Sequence, residues 1–395
     1  MPATSFTSLP ILGNHVATSP SVASSTSGSD HLTLAVLGCG TMGVTILKRI
    51  LDQLAEMDAP RPLQVITSSA SVASMSALYS SHASSAAGAA GATSAAGAPD
   101  DMPDRLPTHF LACVRRPEVG KRVRAALWSH SSAVKVVVDD NVHAVQQAGV
   151  VILACQSSEA EDLLAAPGMA RALSGKLLIS ICAGITADQV EEYLYGSSPD
   201  AAALTVATTD AVSSAHGRCR IVRAIPNAAS LIGESMTVID TATSTGALPA
   251  DLVALVTWIF RRIGSVVHHP HQSLTKPAKT AAASRAAASS AAASTALGTA
   301  GPAFFALMLE AAIDGAVAMG MSRAEAQLMA AQSMRGAAGL VLQNNEHPAL
   351  LRDRISTPGG CAVHGLLALE EGGVRSTIAR AMREATAAAA QEGSQ

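Results

Sequence analysis

Closely spaced glycines directly after an apolar run constrain this chain more than any other feature. Residues 32–37 form an apolar run of strand length, Gly38, Gly40 and Gly43 follow, and a helical apolar pattern continues through residues 46–54. In such a strand–turn–helix unit the first glycine allows the tight turn, the second lets the backbone approach a pyrophosphate, and the third lets the helix pack closely on the strand. We therefore predict the first βα unit of a dinucleotide-binding domain; a tight turn without a ligand is the alternative.

Short apolar runs of strand length recur between helical patterns over the first two thirds of the chain. Predicted strands lie at residues 109–114, 134–138, 150–154, 177–181 and 221–225, and a predicted amphipathic helix lies at 141–148. This alternation favours an α/β fold with a Rossmann-type, mostly parallel sheet covered on both faces. Ligands of such sheets lie beyond the carboxyl ends of the strands, so the loops after residues 37, 154, 181 and 225 should line one crevice.

Two arginines follow the second predicted strand. Arg115 and Arg116 stand where a carboxylate would bind the ribose hydroxyls of NAD, whereas arginines suit the 2′-phosphate of NADP. The alternative is a pair of exposed arginines that begin a helix with Val119 and Val123. The cofactor prediction therefore leans to NADPH, and NADH stays possible.

The last third of the chain is predicted to be helical. An Ala/Ser tract at 277–295 has high helix propensity but no apolar face to specify packing. The next helix is predicted to begin at Pro302, because proline suits a first helical turn. It is apolar nearly all round, so a second subunit is the expected cover. Ser322 should cap a further helix, with Glu325 placed for a capping box.

Charge and cysteine usage bound the partners of the chain. The formal net charge is −3 and no basic run carries interleaved aromatic residues, so no nucleic-acid partner is expected. The six cysteines are scattered and form no C-x-x-C pair. This pattern predicts a reduced, intracellular protein with no structural zinc and no other metal site.

No targeting or membrane segment is predicted. Residues 1–30 lack a basic start, a continuous apolar core and any arginine that a mitochondrial presequence would need. The stretch 302–321 has membrane-span length, but Glu310 and Asp314 lie inside it. A charge at the bilayer centre costs a few kcal/mol, which favours a buried helix of a soluble protein. We expect a cytoplasmic protein with no membrane partner.

A loop near the C-terminus carries a family resemblance. The sequence Ser-Thr-Pro-Gly-Gly-Cys-Ala-Val-His-Gly-Leu at 356–366, continued at 369–376, resembles the signature of the pyrroline-5-carboxylate reductase family. Further matching motifs lie, in family order, at 38–43, 180–186, 223–227, 301–304 and 347–351. The resemblance covers about 31–66 and 105–385, apart from the Ala/Ser tract, and several motifs in one order are more specific than any one alone.

The resemblance implies both an architecture and a reaction. It implies an NADPH-binding N-terminal domain and a C-terminal domain that dimerises through interlocking helices, as a homodimer or a larger homo-oligomer. It also implies reduction of a cyclic imino acid, pyrroline-5-carboxylate, to L-proline, the last step of proline biosynthesis. The site would lie between the nicotinamide and the Pro-Gly-Gly loop, with a partner subunit contributing.

Length and composition then divide the chain into segments. At 395 residues it exceeds one ordinary domain. Residues 1–30, rich in Ser, Thr and Pro, are predicted to be a disordered tail. We assign 31–268 to the dinucleotide-binding domain, with a low-complexity surface insertion at 67–104. Residues 269–395 form the helical dimerisation and substrate domain, with a second insertion at 277–295.

Candidate site residues come from both ends of the chain. The substrate carboxylate needs donors, and amides at a helix N-terminus supply them. The candidates for the catalytic loop are Thr357, Gly359, Gly360, Cys361 and Ala362; in the alternative reading the loop is a capping turn with Thr357 as N-cap. The candidates for cofactor binding are Leu37, Gly38, Cys39, Gly40, Thr41, Met42, Gly43, Arg115, Arg116, Asn141, Ala154, Cys155, Gln156, Ser157, Cys182, Ala183 and Gly184.

Three positions depart from the family pattern. Ala362 stands where the family usually has a threonine able to donate toward the imine nitrogen, and Ala300 and Gln156 replace a serine and a lysine. Cys361 and His364 are possible substitutes, although a helix-surface role is favoured for His364. These departures keep two alternatives open, a reductase of another cyclic imine and a catalytically weak nucleotide-binding paralogue. A hydroxyacid dehydrogenase is a more distant one.

Overall fold

The computed structural model describes residues 31–58, 102–196, 217–240, 242–243, 246–269 and 281–392. The predicted disordered tail at 1–30 and nearly all of the predicted insertion at 67–104 lie outside these ranges. The domain limits drawn from the sequence remain predictions.

Ten strands are present in the described residues. They are β1 (Leu32–Leu37), β2 (Pro107–Val114), β3 (Val134–Val138), β4 (Val150–Leu153), β5 (Leu177–Ser180), β6 (Arg220–Ile225), β7 (Ser235–Asp240), β8 (Ala242–Thr243), β9 (Gly246–Ala247) and β10 (Gly264–His269). All the predicted strands are therefore confirmed to within two residues at each end. The strand at β7 was not predicted.

Twelve α-helices accompany them in the same ranges. In the sheet domain they are α1 (Thr41–Asp58), α2 (Pro117–Ala126), α3 (Asn141–Gln147), α4 (Ser157–Leu164), α5 (Met169–Leu173), α6 (Ala187–Tyr195) and α7 (Ala250–Arg261). The C-terminal helices are α8 (Ala281–Ala318), α9 (Arg323–Asn344), α10 (Pro348–Ile355), α11 (Cys361–Glu371) and α12 (Val374–Glu392). Short 3₁₀ turns lie at Trp128–His130 and Ala228–Ile232.

The main sheet has β1 near its centre. Its strand order is β10-β7-β6-β5-β4-β1-β2-β3. Every neighbouring pair is parallel except β6 with β7, which run antiparallel. The predicted mostly parallel sheet is confirmed, and the carboxyl ends of β1, β2, β4, β5 and β6 lie along one edge.

Alternation along β1 places the core on both faces of the sheet. Leu34 and Val36 join the cluster that contains Phe260 of α7, and Ala35 and Leu37 join the cluster that contains the helices α3 to α6. A strand buried on both faces needs apolar residues at every position, which explains the continuous apolar run at 34–37, where every side chain is buried.

Helix α8 differs from the prediction. The predicted start at Pro302 is wrong, because α8 begins at Ala281 and continues through Pro302 to Ala318. The described part of the second Ala/Ser tract is thus the first half of this helix, as the helix propensity of alanine favours. It packs on α9, α12 and β7, and the small Ala296 is buried.

The C-terminal helices leave a large apolar surface exposed in one chain. Phe305 and Leu307 of α8 are half-exposed or more, as are Leu328 of α9 and Leu367 of α11. By length and composition the stretch Ser289–Ala318 also qualifies as a membrane span, although core helices of soluble proteins pass the same test. The N-cap prediction for Ser322 is confirmed, since its hydroxyl accepts a hydrogen bond from the Glu325 amide at 3.3 Å.

Candidate functional site

A crevice of about 610 Å³ opens at the carboxyl edge of the sheet. Its lining comes from four segments, each following a strand: Met42 of α1, the stretch from Ala154 to Ser158 after β4, the stretch from Ile181 to Ala183 after β5, and Pro226 after β6. The structure therefore brings together the four loops that the sequence predicts to share one crevice.

The glycine turn between β1 and α1 requires glycine at two positions for steric reasons. Gly38 has a φ of +70°, and a Cβ there would lie 2.6 Å from the Cα of Cys155. A Cβ on Gly43 would lie 2.9 Å from Cγ1 of Val36, so the missing side chain lets α1 approach β1. A Cβ on Gly40 would meet nothing closer than 3.9 Å. Gly38 and Gly43 are therefore required by the fold, whereas Gly40 leaves open space above the turn.

The backbone of this turn offers hydrogen-bond donors. The amides of Cys39 and Gly40 are engaged by the carbonyls of Cys113 and Gly38, at 2.8 and 2.7 Å. The next amides belong to the first turn of α1, where Thr41, Met42 and Gly43 have no acceptor within the helix. The side chains of Leu37 and Cys39 are buried, so these two candidates present only their backbone at the turn.

Two thiols meet at the floor of the crevice. Cys155 and Cys182 follow β4 and β5 at equivalent positions, because Leu153 pairs with Ser180 in register. Their sulfur atoms lie 3.9 Å apart. The hydrogen bond between the sulfurs, followed by burial, raises the pKa of the Cys155 thiol. All six cysteines lie in the described ranges and are free thiols.

The loops after β4 and β5 are joined by a side chain. Ser157, the first residue of α4, donates its hydroxyl hydrogen to the carbonyl of Ala183 at 2.7 Å. Gln156 precedes it as the N-cap residue of α4, and its side chain makes no capping bond. Gly184 has a φ of +73° and open space around its Cβ position. The hydrogen bond of Ser157 thus joins the two loops at the edge of the crevice, and open space lies beside Gly184.

The arginines after β2 lie at the same edge. Arg115 is 75 % exposed, and its guanidinium lies 3.7 Å from the carboxylate of Glu159 in α4. Arg116 is the N-cap residue of α2, and Val123 of that helix is buried. The helix-start interpretation is thus confirmed, and it leaves both guanidinium groups accessible. Asn141, another candidate, begins α3 after β3.

The Pro-Gly-Gly loop lies between α10 and α11. The N-cap of α11 is Gly360, so the alternative that Thr357 is the N-cap is wrong. The Gly360 amide donates to the carbonyl of Thr357 at 2.9 Å, which removes it from the predicted set of free donors. The first-turn amides of α11 belong to Cys361 and Ala362, and these keep no intrahelical acceptor.

Two polar side chains lie near the positions where Ala362 and Ala300 lack a donor, namely His364 and Thr299. His364 is exposed on α11, which fits the helix-surface interpretation. The hydroxyl of Thr299, next to Ala300, donates to the carbonyl of Thr295 one turn earlier in α8. The hydroxyl hydrogen of Thr299 is thus engaged within the helix. Among the described residues there is no cluster of three or more metal-ligating side chains.

Sequence reasoning missed one residue beside the crevice. Asn227 follows Pro226 and is 8 % exposed. Its side-chain amide donates to the carbonyl of Gly298 in α8 at 2.7 Å. The motif at 223–227 was visible in the sequence, but nothing local indicated that Asn227 contacts a residue 71 positions away.

The fold and the crevice define a Rossmann-type protein with an appended helical region. One family profile, described as pyrroline-5-carboxylate reductase dimerisation, matches residues 288–392, and a second, NADP oxidoreductase coenzyme F420-dependent, matches residues 84–184. A pyrroline-5-carboxylate reductase of Lophium arboricola is 47% identical over 372 residues, covering 94% of this chain and 97% of that protein. One of Neurospora crassa is 41% identical, covering 91% and 93%. The chain belongs to the pyrroline-5-carboxylate reductase family.

Solved structures agree at the level of the fold. Pyrroline carboxylate reductase of Plasmodium falciparum, solved with NADP bound, has a TM-score of 0.58 at 18% identity and covers 93% of this chain and 100% of its own. A pyrroline-5-carboxylate reductase of Coxiella burnetii has a TM-score of 0.59 at 20% identity, covering 91% and 98%.

Proposed function

We propose that this protein reduces 1-pyrroline-5-carboxylate to L-proline with NADPH, as the last step of proline biosynthesis in the cytoplasm. The observation that carries the proposal is identity of 47% with a pyrroline-5-carboxylate reductase across 94% of the chain. We propose further that the working form is a homodimer or a larger homo-oligomer, because the helical region matches a dimerisation profile and exposes apolar side chains.

The crevice fits a dinucleotide. Gly40 leaves the space that a side chain would fill, and the first-turn amides of α1 and its positive dipole end suit a pyrophosphate. Arg115 and Arg116 would hold the 2′-phosphate of NADPH. The loops at Gln156–Ser157 and Ala183–Gly184 would border the nicotinamide side of the same crevice. When bound, NADPH supplies the hydride of the reaction.

The protein mainly places the substrate for this reaction. Reduction adds a hydride to the imine carbon and a proton to the imine nitrogen, and holding the ring against the nicotinamide supplies much of the rate. The amides of Cys361 and Ala362 at the start of α11 would bind the substrate carboxylate, and Thr357 adds a hydroxyl. Since Ala362 has no donor side chain, water would deliver the proton.

The loop and the crevice would meet between subunits. Gly359 has open space at its Cβ position, and α11 packs on α12 while burying none of its own residues. A second subunit whose helical layer covers the exposed apolar surface would carry its loop to the crevice. Light scattering of the purified protein tests this, and a monomer with full activity would contradict it.

The direct test is steady-state NADPH oxidation at 340 nm with pyrroline-5-carboxylate, other cyclic imines and both nicotinamide cofactors. Turnover well above background with pyrroline-5-carboxylate supports the proposal. As a matched variant, Thr357→Val should raise KM for the imine and leave NADPH affinity unchanged, because it alters only the loop.

A catalytically weak nucleotide-binding paralogue is the second candidate, favoured by Ala362, Ala300 and Gln156. It predicts measurable NADPH binding together with turnover at the background rate. Faster turnover with another imine would instead indicate a reductase of different substrate.

A further inference from the structure

We propose that Asn227 is a positioning residue that fixes α8 to the crevice edge of the sheet through a backbone carbonyl that Pro302 leaves without its helical donor. The kinetic part of this inference rests on the reductase function proposed above. The structural part does not depend on activity.

Pro302 creates the unpaired group. In an α-helix the amide of residue 302 would donate to the carbonyl of residue 298, but proline has no N–H. Pro302 lies inside α8, twenty-one residues after its first residue, Ala281. The carbonyl of Gly298 therefore needs a donor from outside the helix, or it is left unsatisfied beside the sheet.

Asn227 supplies that donor. Its Nδ2 lies 2.7 Å from the carbonyl oxygen of Gly298. Its Oδ1 accepts from the amide of Ala229 at 3.0 Å, and its own amide donates to Oγ of Ser235 at 3.0 Å. The two side-chain bonds require the nitrogen to face α8 and the oxygen to face the 3₁₀ turn, so the amide cannot be flipped without losing both.

The missing side chain of Gly298 lets α8 lie close to β7. A Cβ there would lie 3.4 Å from Cγ2 of Val238 in β7 and 3.9 Å from the carbonyl of Met236. The helix axis therefore lies close to the sheet at the point where its carbonyl is free. An alanine would fit here in ordinary contact, whereas a side chain larger than alanine would displace α8 from β7 and lengthen the bond to Asn227.

The contacts of Asn227 with Gly298, Ala229 and Ser235, called the Asn227 joint below, continue to the glycine turn. Ser230, in the 3₁₀ turn capped by Asn227, is fully buried and donates to the sulfur of Met42 at 3.2 Å. Arg49 of α1 donates to the carbonyl of Leu231 at 3.2 Å. One short segment thus contacts the start of α1, which borders the crevice, and the middle of α8.

Helix α8 is the element of the C-terminal region that packs on the sheet as well as on α9 and α12. The helical region also carries the Pro-Gly-Gly loop. The position of α8 on the sheet therefore determines the position in which a subunit presents that loop. A displacement of about 1 Å between reacting groups can lower a rate by about 100-fold. The joint therefore acts on catalysis through position, without touching the substrate.

The experiment is a set of matched variants. Asn227→Asp keeps the acceptor for Ala229 and replaces the donor to Gly298 by a carboxylate oxygen that repels its carbonyl, and Asn227→Ala removes both side-chain bonds without adding a charge. Ser235→Ala is the control, because it removes the hydroxyl at the start of β7 that accepts from the Asn227 backbone amide and leaves both side-chain bonds of Asn227 in place. We expect kcat to fall about 10- to 100-fold in both Asn227 variants, NADPH Kd to stay within about twofold, and kcat of Ser235→Ala to stay within about twofold.

Pro302→Ala tests the joint without using activity. It restores the amide at 302 and gives the Gly298 carbonyl a donor within the helix. In urea unfolding, Asn227→Ala should therefore destabilise the Pro302→Ala protein less than the native chain, a non-additive double-mutant cycle. Additive unfolding effects would overturn the proposal, and so would unchanged kcat in the Asn227 variants of an active enzyme. If the chain is not a reductase, the cycle still reports on the joint.

Discussion

Replacing Gly38 by alanine is the sharpest test of the glycine turn. At φ +70° an alanine is strained, and its Cβ would lie 2.6 Å from the Cα and Cβ of Cys155 and 2.7 Å from its nitrogen. Main-chain atoms cannot rotate away as a long side chain can. The left-handed conformation costs about 1–2 kcal/mol, and overpacking costs about 1–3 kcal/mol. We expect Gly38→Ala to lower the free energy of unfolding by about 2–5 kcal/mol.

Gly40→Ala is the matched control. Its Cβ would meet only the carbonyl oxygen of Gly38, at 3.9 Å. The free energy of unfolding should change by about 0.5 kcal/mol or less, as at other open positions. The space it fills is where the pyrophosphate is proposed to lie, so NADPH affinity should fall about tenfold or more, a change of about 1.4 kcal/mol.

Two measurements separate these outcomes: urea unfolding without cofactor, followed by circular dichroism, and titration of NADPH fluorescence. If Gly38→Ala unfolds at the wild-type urea concentration, position 38 tolerates a side chain and the glycine is not a steric requirement. An NADPH affinity of Gly40→Ala equal to that of the native chain would place the pyrophosphate elsewhere.

Three further predictions concern the loop, the thiols and the helical surface. Ala362→Thr should raise kcat about tenfold or more by supplying a donor near the imine nitrogen that is more effective than water; an unchanged kcat in the NADPH assay would show that proton delivery does not limit turnover. Mild peroxide should oxidise the thiols of Cys155 and Cys182 to a disulfide, counted by thiol titration, and weaken NADPH binding. Peroxide-treated Cys155→Ser should keep its affinity for NADPH. An equal loss of NADPH affinity in both proteins would contradict this prediction. Leu328→Lys and Leu367→Lys should each shift the assembly toward monomer in light scattering, and an unchanged mass would exclude these surfaces from the interface.

The strands at the centre of the sheet were predictable because local composition determines them. β1 is buried on both faces, so its apolar run is continuous. β7 was missed because Ser235 and Thr237 are polar yet fully buried within it. These polar positions interrupt the apolar run that marks the other strands, and the buried hydroxyl of Ser235 meets its partner, the Asn227 amide, only in the folded chain.

The start of α8 was mispredicted for a related reason. Proline is expected in a first helical turn. Inside α8, the Gly298 carbonyl that loses its helical donor at Pro302 accepts a hydrogen bond from Asn227, a residue that only folding brings close. In the Pro-Gly-Gly loop the Gly360 amide is engaged by the carbonyl of Thr357, so of the predicted amide donors Gly359, Gly360 and Cys361 it is the one that the structure removes. Such details depend on backbone geometry that residue types alone do not specify.

The sequence by itself determined the glycine turn, the positions of most strands and the family. Gly38 has a left-handed backbone conformation and Gly43 lies close to Val36, and both requirements belong to one local strand–turn–helix unit. Only the tertiary structure decided that Cys155 meets Cys182, and that Asn227 holds Gly298. Both pairs arise from sheet register and helix docking, where residues far apart in the chain become neighbours because the core closes around them.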